Sequence, residues 1–301
     1  MKINTLKILL LAVLAALCFS TTFILNRYIS LEGGHWFWSA TLRYIYMIFI
    51  LFMVLLVFKS YAYIKNLMIE FMNDFLFWCF AGSIGFGIFY ALICYVADSS
   101  PAWVVATTWQ FTILSSLVVL SFFGKKISTN TWILVMIIFI CILMVNFSSI
   151  NKDQLTSQLL NVFLILIASF AYPIGNQLVW EKKSEIDTFS KVFLLSLGSL
   201  PFWIVLSLFF KVSVPSQSQY LSIFAVAIFS GVIATTLFLF ARGKAKNATQ
   251  IAMVDATQST EVLFTIVFEM IFLSLVIPTN LALFGILGVF IALFGLVLIA
   301  K

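Results

Sequence analysis

Within the apolar stretch 248–276, Asp255, Gln258, Glu261, Thr265 and Glu269 recur at helical spacing. At about 100° per residue they occupy roughly a third of a helix circumference, while Phe264 and Ile271 lie opposite. The stretch is long enough to cross a bilayer. An ionisable group near the bilayer centre costs from about 3 to 10 or more kcal/mol, so by default it marks a function. Glu261 lies nearest the middle. Burial disfavours its charged form, which lets it hold and release a proton near neutral pH. A proton and a cationic substrate would then compete for one carboxylate. Asp255 sits about a turn and a half away, as a second coupling group or an attraction for cations. Glu269 and Arg43 both fall in the outer part of their spans, where a mutual ion pair offsets two expensive charges, as a gate or as a structural bridge. Arg43 also reads as a ligand for a substrate carboxylate.

Amides and aromatics supply the rest of a binding chemistry. Gln110, Gln258, Asn176 and Tyr172 can orient a ligand by hydrogen bonds. Trp103, Thr107 and Gln110 share one helix face, and Trp103 could stack on an aromatic or cationic group, whereas Trp109 points off that face. Each aromatic reads more readily as lipid-facing or interfacial packing, since the chain holds 34 Phe. His35, the one histidine, reads as an interfacial anchor beside Trp36.

These residues need a membrane scaffold. The chain is 63% hydrophobic and 9% charged, with mean hydropathy +1.15. Soluble domains run at about 45–50% apolar and about 25% charged, so this is an all-α polytopic membrane protein. Continuous apolar runs exclude a β-barrel. The net charge of +6 forms no basic stripe, so nucleic acid is not a partner. Cys18, Cys79, Cys94 and Cys141 lie in apolar runs without ligand spacing, so neither metal nor cofactor is expected.

Ten transmembrane spans are predicted, at 6–25, 36–58, 75–97, 101–123, 132–147, 159–180, 189–210, 220–241, 248–276 and 281–300. Gly82, Gly85 and Gly87 lie inside the third span with no strand before them, which points to close helix approach and not to a nucleotide loop. Pro173 in the sixth span frees a carbonyl and is a candidate hinge. Gly285, Gly288, Ala292 and Gly295 make a small-residue seam, a packing face or a homodimer face. Thirteen of the 17 Lys and Arg, Arg242 among them, fall at the ends that share a side with the N-terminus. By the positive-inside rule both termini are cytoplasmic.

The polar stretch 148–157 divides the chain into five spans on each side: residues 1–150 as an N-terminal repeat and 151–301 as a C-terminal one. An odd number per half makes the two repeats inverted, the plan of many secondary transporters. Ala106–Thr112 can be laid over Val254–Thr260 so that Gln110 meets Gln258 and Thr107 meets Asp255. Polar groups at symmetry-related depths would converge on one midplane site.

Ten spans in two inverted halves resemble the drug/metabolite transporter superfamily, the ten-helix EamA-like proteins. The run Asp255-Ala-Thr-Gln-Ser-Thr-Glu261-Val-Leu-Phe264, then Phe268-Glu269, together with Thr108-Trp109-Gln110, resembles more narrowly the multidrug resistance efflux transporter branch. Glu269 stands where a glutamate often closes the ninth helix of EamA-like proteins, although the usual preceding glycine is Phe268 here. Four-helix relatives carry an essential glutamate in their first helix. This chain has Ser20, Thr21 and Thr22 there, which moves the search for carboxylates to the ninth span.

The resulting expectation is an inner-membrane secondary exporter of small organic molecules, driven by proton antiport through alternating access. Lipophilic cations or aromatic drugs are favoured because the embedded charges are mostly acidic. The alternative is an exporter or facilitator of amino acids or other metabolites. Without a Walker motif or a clustered nucleophile and base, neither ATP hydrolysis nor an enzyme is expected. One chain holds both halves, so a monomer suffices.

Overall fold

The computed structural model describes residues 5–148, 155–210, 212–273 and 279–299, and all regular structure among them is helical. The dividing stretch 148–157 falls largely outside the described residues, as do Lys2, Lys152, Lys211 and Lys301. Ten helices are long and apolar enough to cross a bilayer: α1 Leu6–Leu31, α2 Trp36–Phe58, α3 Phe75–Ala97, α4 Ala102–Phe122, α5 Thr129–Phe147, α6 Thr156–Lys182, α7 Thr188–Ser207, α8 Gln217–Gly243, α9 Ala248–Phe272 and α10 Asn280–Ile299. Phe49, Leu76, Phe122, Phe284 and Ile291 stay exposed on the outer surface, as a lipid-facing wall requires.

Two boundaries differ from expectation in ways that matter. Helix α1 continues to Leu31, so Arg27 is helical and donates to the carbonyls of Ala97 (3.3 Å) and Asp98 (2.9 Å). Helix α8 continues to Gly243 and draws Arg242 into the protein, where it is 8% exposed. An additional short helix, Tyr61–Asn73, runs between α2 and α3. Its N-cap, Ser60, accepts from the Tyr63 N–H at 3.2 Å, and it buries Ile64, Leu67 and Phe71 at spacings of three and four.

Helices α3 and α6 approach closely through glycine. A Cβ on Gly175 would lie 2.4 Å from the Gly85 Cα, so only glycine permits this crossing, as the third span's spacing suggested. The seam on α10 is likewise a packing face, but within the chain. Cβ atoms at Gly285 and Gly288 would meet Cys141 of α5 at 2.7 and 2.4 Å, and one at Gly295 would meet Leu134 at 2.9 Å. Ala292 is buried between them. Of the two readings of this seam, a packing face or a homodimer face, the structure shows the first, since α5 covers it.

Helices α3, α4, α8 and α9 are irregular. Helix α3 passes through a π-helical segment at Ser83–Ile88, and α8 through one at Ala227–Ala234. Helix α4 pauses at Gln110, where N–H groups reach back three residues, and α9 does so over Gln258–Val262, including Glu261 N–H to Gln258 O at 2.8 Å. Thr107, Thr257, Ser259 and Thr260 return their hydroxyls to backbone carbonyls three or four residues back, which bends the helix. Tightened and π-helical turns of this kind cluster at functional positions.

Candidate substrate and coupling site

The irregular turns surround a central cavity of about 20 Å³, room for a single water. Glu261 and Gln258 reach it from the tightened turn of α9, Arg43 from α2, Tyr172 from α6, and Phe89 and Trp109 from α3 and α4. Glu261 is 1% exposed, and among the described residues neither of its carboxylate oxygens has a hydrogen-bond partner. Arg43, 2% exposed, lies with its guanidinium 3.8 Å from the Tyr90 ring centre and donates from Nη2 to Ser230 Oγ at 3.1 Å. Its Nε and Nη1 have no partner among the described residues, and the Tyr172 hydroxyl is similarly free. Aromatic rings pave one wall: Phe89 packs on Tyr172 at 4.9 Å and on Trp109 at 5.1 Å.

Asp255 occupies a different environment from Glu261. Arg242 Nε donates to Asp255 Oδ1 at 3.0 Å, and Ser116 donates to Oδ2. The same guanidinium reaches Gln177 Oε1 at 2.9 Å and Ser116 Oγ at 3.3 Å. Gln177 in turn donates to Glu181 at 2.7 Å, and Glu181 pairs with Lys125 at 2.8 Å. A polar chain thus runs from the buried carboxylate to the lysine-rich end of the bundle, tying α9, α8 and α6 together. Beside it, Asp255, Asn176, Pro173 and Gln258 line a second cavity of about 10 Å³.

Pro173 shows how the helix accommodates its missing N–H. The carbonyl four residues earlier belongs to Ser169, and α4 supplies its donors, Ser115 and Thr112. Asn176 turns its amide back to the Tyr172 carbonyl at 2.8 Å and leaves Oδ1 unpaired among the described residues.

The far end closes differently. Glu269 accepts from the backbone N–H groups of Ala102 (3.2 Å) and Trp103 (2.9 Å), so a carboxylate caps the first turn of α4. The structure therefore does not bring Glu269 and Arg43 into the expected ion pair: Glu269 is held by the α4 backbone, and Arg43 bonds Ser230 through Nη2 alone. Asn161 of α6 adds hydrogen bonds to Ser99 (2.8 Å) and Ser100 (3.1 Å).

Gln258, Glu261 and Tyr172 all line the central cavity. Asp255 and Asn176 lie on the neighbouring one. Gln110, Thr107 and Trp103 line neither: Gln110 returns its amide to the Ala106 carbonyl at 3.0 Å, and Trp103 packs with Val262, Ala282 and Ile286. The aromatic that α4 contributes is Trp109, because the Trp103 face turns toward α9 and α10. Arg242 escaped the sequence reading. Its signal was a cation closing an apolar span thirteen residues before an embedded aspartate, masked by the lysines that follow it. With Arg242 offsetting Asp255 and Arg43 beside Glu261, the buried site carries balanced charge, which removes the premise of an acidic cavity.

A bundle of ten bilayer-length helices folded around a buried, balanced-charge cavity is the architecture of a polytopic solute transporter. The family model described as "EmrE: Putative multidrug resistance efflux transporter" matches residues 6–301, and the chain belongs to that family. The chain is 34% identical to "Uncharacterized protein YjlA" of Bacillus subtilis (strain 168), over 97% of its own length and 94% of that protein. It is 32% identical to the "Uncharacterized 42.1 kDa protein in intracellular alkaline protease 3'region" of Shouchella clausii, over 80% of its length and 66% of that one. A solved structure at 11% identity superposes with a TM-score of 0.61, covering 95% of this chain and 98% of the other, and so shares the fold.

Proposed function

We propose that the protein is a secondary active exporter of small organic molecules that works by alternating access and proton antiport, with Glu261 as the group that exchanges proton for substrate. One observation carries this reading: a carboxylate at the tightened turn of α9, buried in the central cavity, with both oxygens unpartnered among the described residues. An ionised carboxylate cannot stay unpaired there, so it is either protonated or faces a cation. That exclusivity couples two gradients.

The closures at the two ends support the access cycle. The Asp255–Arg242–Gln177 network seals the basic end, and Glu269 on the α4 N-terminus helps seal the other. A one-water cavity admits a substrate only after one of these opens. The π-helical turns of α3 and α8 and the pauses of α4 and α9 occupy corresponding places in the two halves, 1–150 and 151–301, which supports an inverted repeat. The lysine-rich end is the cytoplasmic one on this reading, with both termini inside and the chain in the cell membrane.

The test is substrate-induced proton release from purified protein in detergent, screened across lipophilic cations and amino acids. Release by at least one solute in the wild type, abolished by Glu261→Gln with the fold intact, is the expected result. Binding seen by thermal shift without proton release from any ligand would sink antiport and leave a facilitator.

A further inference from the structure

We propose that the central cavity is built for a zwitterion, with Arg43 receiving the carboxylate and Glu261 the ammonium group; the inference rests on the export reading above and names the substrate class. Both side chains are nine-tenths or more buried, both line one cavity, and both keep polar atoms without partners among the described residues. They are not ion-paired with each other: Arg43 is held on Ser230 and stacked on Tyr90. Thr22 donates to the same Ser230 at 2.5 Å, so the hydroxyl that fixes Arg43 is itself fixed. A guanidinium positioned this way, with Nε and Nη1 unused, is a preorganised carboxylate receptor.

The alternatives leave charge uncompensated. A simple cation on Glu261 would keep Arg43 buried beside it with two nitrogens idle and would meet its repulsion. A simple anion on Arg43 would keep Glu261 either idle or repelling. A solute carrying both charges satisfies both groups, and the proton its ammonium group displaces from Glu261 leaves on the side from which the solute is taken up. Phe89, Trp109 and Tyr172 offer an apolar wall for the body of such a molecule. Asp255 takes no part, because Arg242 already holds it.

The probes are phenylalanine, its methyl ester (ammonium only), N-acetylphenylalanine (carboxylate only) and tetraphenylphosphonium, in binding to the full chain in detergent and counterflow in proteoliposomes. Phenylalanine is expected to bind and exchange, with each blocked analogue weaker by about 100-fold or more, because each leaves a buried charge unpaired. Arg43→Gln should erase the preference for phenylalanine over the ester, and Glu261→Gln its preference over the N-acetyl compound. Arg43→Lys should retain part of the first preference, which a merely structural arginine would not predict. Melting curves and gel filtration certify that each variant is folded. Tight binding of the ester or tetraphenylphosphonium with none of phenylalanine would overturn the zwitterion and leave proton-coupled export of cations standing. Equal binding of the N-acetyl compound and phenylalanine would also overturn it, in favour of an anion site. A folded wild type that binds none of the four overturns it too, while proton release in the wider screen judges export separately. Phenylalanine binding without counterflow would uphold the two-charge site and sink export.

Discussion

Arg242 and Asp255 make the only buried ion pair among the described residues, and its energetics are those of two charges removed from water together. Removing one partner strands the other. Arg242→Met or Asp255→Leu alone is expected to cost about 3–5 kcal/mol of unfolding free energy, while the apolar double variant Arg242→Met/Asp255→Leu loses far less. A double-mutant cycle by denaturant unfolding in mild detergent checks this, and additive losses would show that the pair is not coupled. Glu269 is a smaller case. As a cap on two N–H groups of α4 it should contribute about 0.5–2 kcal/mol, read as the stability lost in Glu269→Ala.

At the scale of elements, Pro173 is informative because its freed carbonyl already has donors on α4. Pro173→Ala restores an N–H that competes with Ser115 for the Ser169 carbonyl. The expected outcome is slower transport with stability unchanged or raised, measured by paired counterflow rates and melting temperatures. The loop before α7 presents a pH-dependent latch. Asp187 caps α7 through the Ser190 N–H at 3.1 Å and accepts from Tyr63 at 2.5 Å, with Lys59 at 3.5 Å. Burial alone would push its carboxyl up, but the hydrogen bonds of Tyr63 and Ser190 and the charge of Lys59 outweigh that and hold it below its ordinary value. A depressed folded-state value stabilises the protein above the unfolded value of about 3.9, and that contribution is lost as pH falls through the folded value. Melting temperature should therefore drop more steeply below about pH 4 in the wild type than in Asp187→Asn.

For the whole molecule, the decisive contact is α10 along α5. Gly285→Leu forces a side chain against the Cys141 carbonyl and should destabilise the chain by about 1–3 kcal/mol without altering its mass in detergent by light scattering. Loss of a dimer in that variant would contradict the placement. Exposed ion pairs gather at the lysine-rich end, where Lys183 meets Glu70 and Asp74, Lys125 meets Glu181 and Lys59 meets Asp187. Glu181 joins them to the buried Arg242–Asp255 network through Gln177, so on the proposed access cycle opening that end breaks both sets of contacts.

Hydropathy and helical periodicity by themselves determined the class of the protein, its ten spans and the polar stripe of α9, because a bilayer demands long apolar helices and makes each embedded charge conspicuous. The proximity of Gln258, Glu261 and Tyr172 was legible for the same reason. The amphipathic helix Tyr61–Asn73 was overlooked because its buried Ile64, Leu67 and Phe71 are short-range signals between two much stronger ones. Only the tertiary structure decided partners. Arg242 belongs to Asp255, Glu269 to the α4 N-terminus and Arg43 to Ser230 and Tyr90. Pairings between helices depend on crossing angles and on tightened or π-helical turns, which rotate side chains away from the positions an ideal 3.6-residue helix assigns them. Trp109 came to the cavity because the Trp103 face of α4 packs on Val262, Ala282 and Ile286, and Arg43 came to share with Glu261 the space that gives the site its balanced charge.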